Sequence, residues 1–150
     1  MSKEQKEAAA EKRQEGNGNL TAVNTSVFAF IGDAVYEMYV RRHVFEKGIA
    51  RPDKLSYAAV NYVRAEAQAK ILDVLMPELS EEEAAVARRG KNHKITSMPH
   101  NVSPKIYKKA TAFEALIGYL DLKKDRDRME CLIKRALEIA ETEEIKIERR

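Results

Sequence analysis

Two acidic residues stand where apolar helices would not be expected to hold them. In FIGDAVYEMYV, Phe30 to Val40, Asp33 directly follows Gly32. In ATAFEALIGYL, Ala110 to Leu120, Glu114 precedes Gly118 by one helical turn. A glycine inside a helix costs about 1 kcal/mol relative to alanine, and a buried carboxylate is costly unless something pairs with it. Close approach of two helix backbones accounts for both glycines, and a crossing at Gly32 and Gly118 would bring Asp33 and Glu114 together. Facing carboxylates repel unless a cation stands between them. Oxygen ligands alone suit a hard ion, Mg²⁺ or Mn²⁺. The alternative is two unrelated carboxylates, each paired with a lysine or arginine. The two stretches alone leave both readings open.

The charge distribution tips the balance. The net charge is only +3, yet no Asp or Glu occurs between Ala84 and Phe113. That block holds Arg88, Arg89, Lys91, Lys94, Lys105, Lys108 and Lys109, with His93 and His100. The remainder of the chain is therefore net negative. Such a block reads as a phosphate-binding surface, the alternative being a solvated basic helix and loop. It runs straight into the Glu114 helix through SPKIYKKATAFE. A carboxylate-held Mg²⁺ beside a phosphate-binding surface is equipment for phosphodiester hydrolysis.

The elements that must position these groups read as helices. The chain has 150 residues, 44% hydrophobic and 34% charged, which fits one domain with its own core. No apolar run is long enough to cross a membrane, and the charged N-terminus is unlike a signal peptide. The single cysteine, Cys131, excludes an internal disulfide and a cysteine zinc site. A reducing cytoplasm is the expected setting. Residues 1–19 read as a flexible tail, and 20–150 as the folded domain. The first helix starts at Thr25 or Ser26 and stops near Lys47, with Gly48 as its terminator. Pro52 opens a second, which continues or restarts through VRAEAQAKILDVL and ends before Pro77. Ser80 and Glu83 form a capping box for a third. NHKITSMPHNVSP is a loop, Ser103 and Pro104 start a long helix to about Leu122, and Asp125 caps the last. No strand alternation survives, so the fold class is all-α, with five to seven helices.

At about 100° per residue, Ser26, Ala29, Phe30, Asp33, Tyr36, Glu37 and Val40 share a broad face. That face is expected to be the buried one. Cys131 is expected in the core. His43, His93 and His100 lack metal-ligand spacing, and surface or RNA-contacting roles are expected of them rather than ligation. Tyr57 and Tyr62 fit a helix face without further role.

FIGDAVYE resembles the signature of ribonuclease III, and FEALIGYLDL resembles that family's second acidic motif, in the same order and with RRGK between them. The resemblance covers roughly Thr25 to Lys123. The chain has no room for the double-stranded-RNA-binding domain that typical members append, so it is most similar to the short stand-alone branch, Mini-ribonuclease III. The resemblance implies a single helical endonuclease domain, a homodimer, and cleavage of double-stranded RNA with Mg²⁺ (or Mn²⁺). It also implies a large-subunit ribosomal RNA precursor as substrate, and 5′-phosphate and 3′-hydroxyl products. A ribosomal-protein helper is left undetermined. Asp33 matches the signature aspartate and Glu114 the essential glutamate. Two further family carboxylates are absent, replaced by Ala29 and Thr111. Thr111, Glu37 and a loosely aligned Glu66 become supporting candidates around the pair, and Phe30 falls near the dimer contact, with plain core packing as its alternative. The basic block supplies the RNA contacts.

The missing acids motivate a second reading, a non-catalytic double-stranded-RNA-binding module. A third is a helical protein-interaction domain with no RNA role, whose RNA affinity would be absent at low salt or indifferent to salt.

Overall fold

The computed structural model describes residues 2–5, 20, 22–93 and 99–148, with side chains described as far as Thr142. Lys94 and nearly all of the expected N-terminal tail lie outside the described residues. Six helices carry the domain: α1 (Thr25–Glu46), α2 (Pro52–Val63), α3 (Ala65–Leu75), α4 (Glu81–Lys91), α5 (Pro104–Leu122) and α6 (Arg126–Glu148), with a 3₁₀ turn at Met76–Glu78 after α3. No strand occurs among the described residues.

Local chemistry sets most boundaries. Asn24 caps α1, its side-chain oxygen accepting from the Ser26 amide at 2.9 Å. Gly48 ends that helix at φ +93°, a conformation glycine adopts without steric cost. The Ser80–Glu83 capping box is complete in both directions, and Ser103 caps α5 through the Ile106 amide. Arg64, extended at φ −61° and ψ 152°, separates α2 from α3. The buried Gln68 covers the broken end by donating to the Val63 carbonyl at 3.0 Å. Asp125 caps α6 through the Arg128 amide.

Helix α5 is the axis of the domain. It packs against α1, α3, α4 and α6, and Ala115 to Leu120 are buried without interruption. A helix apolar on all sides belongs in the middle of a protein. Around it Phe28, Tyr36, Ile71, Leu72, Leu75, Phe113, Leu116, Ile117 and Ile133 form one core. Tyr36 meets Phe113 edge-on at 4.9 Å between ring centroids. Each large side chain so buried contributes about 1.5–3 kcal/mol before entropy is counted.

Three expectations are corrected. The buried stripe of α1 is Thr25, Phe28, Gly32, Tyr36, Val40 and Val44, so the helix is rotated from the expected face. Phe30, 78% exposed, is not core, and Asp33 is exposed beside the stripe. The reason is that residues 27–31 are apolar all the way round, and hydrophobicity alone does not choose the inward side. Cys131 is exposed, not core: α6 turns Leu132, Ile133 and Ala136 inward instead. His43 is not a plain surface residue, because its Nε2 lies 2.6 Å from Glu141 of α6.

Candidate active site

The expected crossing exists and is tighter than side chains would permit. A methyl carbon placed on Gly32 would fall on the Glu114 carbonyl, 2.7 Å from its carbon and 2.8 Å from the Gly118 amide nitrogen. One placed on Gly118 would fall on the Phe28 carbonyl and lie 2.9 Å from the Gly32 nitrogen. Each glycine therefore admits the backbone of the other helix. Ala112 and Ala115 keep the next turns of α5 slim, and Gly90 of α4 rests 3.0 Å from the Ala112 Cα when given a Cβ.

This contact brings Asp33 and Glu114 together. Their carboxyl groups lie within hydrogen-bonding reach. Glu114 is half-buried while Asp33 is exposed, so the pair spans the boundary between core and solvent. Burial, the hydrogen bond to Asp33 and the negative charges of Asp33 and Glu37 push the Glu114 carboxyl up to about 9. At neutral pH Glu114 thus keeps its proton and donates it toward Asp33. A bound cation would replace that proton, the usual exchange when a metal enters a carboxylate site.

The surrounding residues divide. Glu37, one turn beyond Asp33, accepts from Arg41 Nε at 3.1 Å. Thr111, one turn before Glu114, is half-buried, and its hydroxyl donates to the Tyr107 carbonyl at 2.9 Å. The threonine proton is thereby committed to its own helix, leaving only oxygen lone pairs for a ligand. Glu66 sits exposed in the first turn of α3 and is not among the charges acting on Glu114. No cluster of three or more His, Cys, Asp or Glu able to hold a metal occurs among the described residues. The donor set is two all-oxygen carboxyl groups beside solvent. It fits a hard cation that keeps several waters, as Mg²⁺ does.

The basic residues also divide. Arg88, Arg89 and Lys91 are exposed at the C-terminal end of α4. There they also complement the helix dipole, and Arg89 donates to the Val23 carbonyl just before α1 at 3.1 Å. Lys105 is exposed and Lys108 half-buried at the start of α5, about 9 Å along the axis separating Lys108 from Glu114. Lys109 is paired with Asp73 of α3 at 2.9 Å and is only 17% exposed, which leaves it less available to a ligand than its neighbours. The sequence offers Glu37 as a salt-bridge or supporting residue, and the partner it finds is Arg41, a base four residues on along the same helix. The joint of His43, Lys47 and Tyr62 on Glu141 was not legible, because its members are far apart in the chain.

Residues 26–125 match the sequence profile described as Ribonuclease III domain. The chain is similar to the protein named Mini-ribonuclease 3 of Brevibacillus brevis, 47% identical over 125 residues, spanning 83% of this chain and 92% of the relative. It is similar as well to the Mini-ribonuclease 3 of Streptococcus pneumoniae, 38% identical, spanning 77% and 91%. Its fold resembles a crystal structure of a protein from Fusobacterium nucleatum with a TM-score of 0.73 and 28% identity, covering 80% of this chain and 96% of that one.

Proposed function

The chain belongs to the ribonuclease III family, and on that footing we propose that it is an endoribonuclease that hydrolyses double-stranded RNA at Asp33 and Glu114. The observation that carries the proposal is the hydrogen-bonded carboxyl pair at the glycine crossing. Asp33 and Glu114 would hold Mg²⁺, with Mn²⁺ as a substitute. When bound, the ion supplies Lewis acidity that activates water and offsets phosphate charge. Glu114 would give up its proton to a bound ion, and its partial burial shields the pair from bulk water, which strengthens electrostatic effects at the site. Thr111 and Glu37 support the pair. Arg88, Arg89 and Lys91, with Lys105 and Lys108, contact the duplex backbone, which A-form RNA presents mainly as shape; Lys94 and Lys109 complete the basic block. The products carry 5′-phosphate and 3′-hydroxyl ends. Two copies related by a two-fold axis, with the exposed Phe30 near their contact, offer one site to each strand. A ribosomal RNA precursor is the proposed natural substrate.

The decisive experiment incubates a long RNA duplex with Mg²⁺ and wild type, Asp33→Asn or Glu114→Gln, scoring cutting and binding separately. Wild type should cut, and both variants should bind without cutting. The absence of acids at Ala29 and Thr111 favours the competing reading of a non-catalytic RNA-binding module. That reading prevails if wild type never cuts while all three proteins bind equally.

A further inference from the structure

We propose that Glu37, oriented by Arg41, is a positioning carboxylate that takes over the electrostatic part of the acid missing at Ala29, strengthening cation binding by Asp33 and Glu114 without ligating the cation itself. This deepens the functional reading above and rests on it.

Asp33, Glu37 and Arg41 follow one another at four-residue intervals along α1. Each stands one position after a member of the buried stripe, Gly32, Tyr36 and Val40. They therefore form a row along one edge of that stripe. Glu114 faces this row, since the glycine crossing sets its main chain against Gly32, one residue before Asp33, and the charges of Asp33 and Glu37 both act on its carboxyl. The turn of α1 on the N-terminal side of Asp33 offers only the methyl group of Ala29. On its C-terminal side, Glu37 is the one carboxylate within a turn of Asp33 on the same helix.

Three observations fix the role as positioning. First, no group of three metal-capable side chains exists among the described residues, which argues against Glu37 as a direct ligand. Second, Glu37 already has a partner, Arg41 Nε at 3.1 Å, with side chains 31% and 73% exposed respectively. An exposed i,i+4 pair holds weakly and screens only part of the charge. It favours the orientation in which the carboxylate lies along the row toward Arg41. Third, Glu37 and Arg41 form the polar edge of a groove of about 450 Å³ whose remaining wall includes Val44, Leu55, Ala59 and Val63. Neither Asp33 nor Glu114 lines that groove and it holds no further carboxylate, so the row of acids on α1 ends at Glu37.

The test measures Mn²⁺ binding by calorimetry on RNA-free protein, with thermal unfolding in chelator as the control. Glu37→Gln should weaken Mn²⁺ binding by roughly five- to tenfold, the size expected from losing one nearby charge at a partly exposed site. Glu37→Asp should stay within about twofold of wild type, since the charge is kept. Arg41→Gln removes the counter-charge and should tighten binding by about twofold. Both Gln variants break the same ion pair, but Glu37→Gln also relieves repulsion with the acid pair, so in chelator its unfolding temperature should lie at or above that of Arg41→Gln. Opposite signs in affinity, with the weaker binder no less stable than the tighter one, form a signature that a merely structural salt bridge does not produce. Affinity that is unchanged, or weakened alike in both variants, overturns the proposal. Loss of binding in Glu37→Gln as complete as in Asp33→Asn also overturns it, by making Glu37 a ligand. If Asp33→Asn itself leaves Mn²⁺ binding intact, the reading of the acid pair fails and this proposal falls with it.

Discussion

Helices α5 and α6 are fastened to the rest of the domain by contrasting means. Helix α5 meets α1 through backbone contact, with Gly32 and Gly118 each lodged against the opposing main chain. Helix α6 packs an apolar face, but charged joints about two turns apart set its position. Arg128 makes a bidentate pair with the buried Glu83 at 2.8 and 2.9 Å, Arg135 reaches Glu78 at 3.1 Å, and Glu141 gathers His43, Lys47 and Tyr62. Close packing has no tolerance for added volume and little sensitivity to solvent composition. Ion pairs tolerate side-chain movement but respond to salt and pH. The candidate active site lies on the first kind of contact. Its carboxyl groups are thereby placed by main chain, while the periphery is left adjustable.

The contrast can be broken most directly at the glycines. Gly118→Ala and Gly32→Ala should each destabilise the fold by about 3 kcal/mol or more, because the added carbon meets backbone that cannot swing aside. A urea-midpoint change worth less than about 1 kcal/mol would show that the crossing is slack. Next in size is Arg128→Ala. It leaves Glu83 buried without its guanidinium, whose hydrogen bonds hold that carboxyl below the usual range, and should cost about 2 kcal/mol by the same measurement.

A third comparison separates the two regions by the direction of their pH response. In chelator, burial and the neighbouring acids push the Glu114 carboxyl up to about 9 in the folded chain, from an ordinary value of 4.5. Below that lower value it is protonated in both states and has no effect on stability. As pH rises between the two values the unfolded chain ionises first, so wild type loses stability, and above about 9 the loss levels off. Glu114→Gln escapes this, so its advantage over wild type should grow from pH 5 to pH 9, reaching on the order of 1–2 kcal/mol. Melting curves across that range would expose a flat difference if the carboxyl were not desolvated. Glu141 works in the opposite direction. Despite its partial burial, hydrogen bonds from His43 and Lys47 hold its carboxyl below the usual range, so its contribution is present above the ordinary Glu value and is lost as pH falls through the lowered one. Glu141→Gln should have the smallest effect, about 0.5 kcal/mol near neutral pH and fading in high salt. Persistence of that effect in molar salt would make the joint a packing contact.

Much of the scaffold was legible in sequence because short-range chemistry specifies it. The Ser80–Glu83 box, the Ser103–Pro104 start and the stop at Gly48 each depend on residues within a turn of one another. The glycine crossing was also legible, since two helices each spent a glycine and an acid in an otherwise apolar run. The rotation of α1 was not legible, because Val27 to Ile31 offer apolar surface on every side and only the partner helix decides which part is buried. The fate of His43, Tyr62 and Lys109 was equally hidden. Their partners Glu141 and Asp73 lie on other helices, and nothing local announces them. Within the candidate site, the two acids could be read, whereas the unequal exposure that separates Asp33 from Glu114 depends on the three-dimensional crossing.

The position of the crossing in chain order has a consequence in time. Asp33 and Glu114 are separated by more than half of the chain, and they meet only when α5 is present to lie against α1. During synthesis, the growing polypeptide carries the first acid through most of its production with no counterpart to meet it. A chain cut short anywhere before α5 lacks Glu114 and leaves the proposed acid pair incomplete, however well its early helices form. If the proposed activity holds, an enzyme able to cut structured RNA stays harmless to the translation machinery, itself built of structured RNA, until its own central helix has emerged.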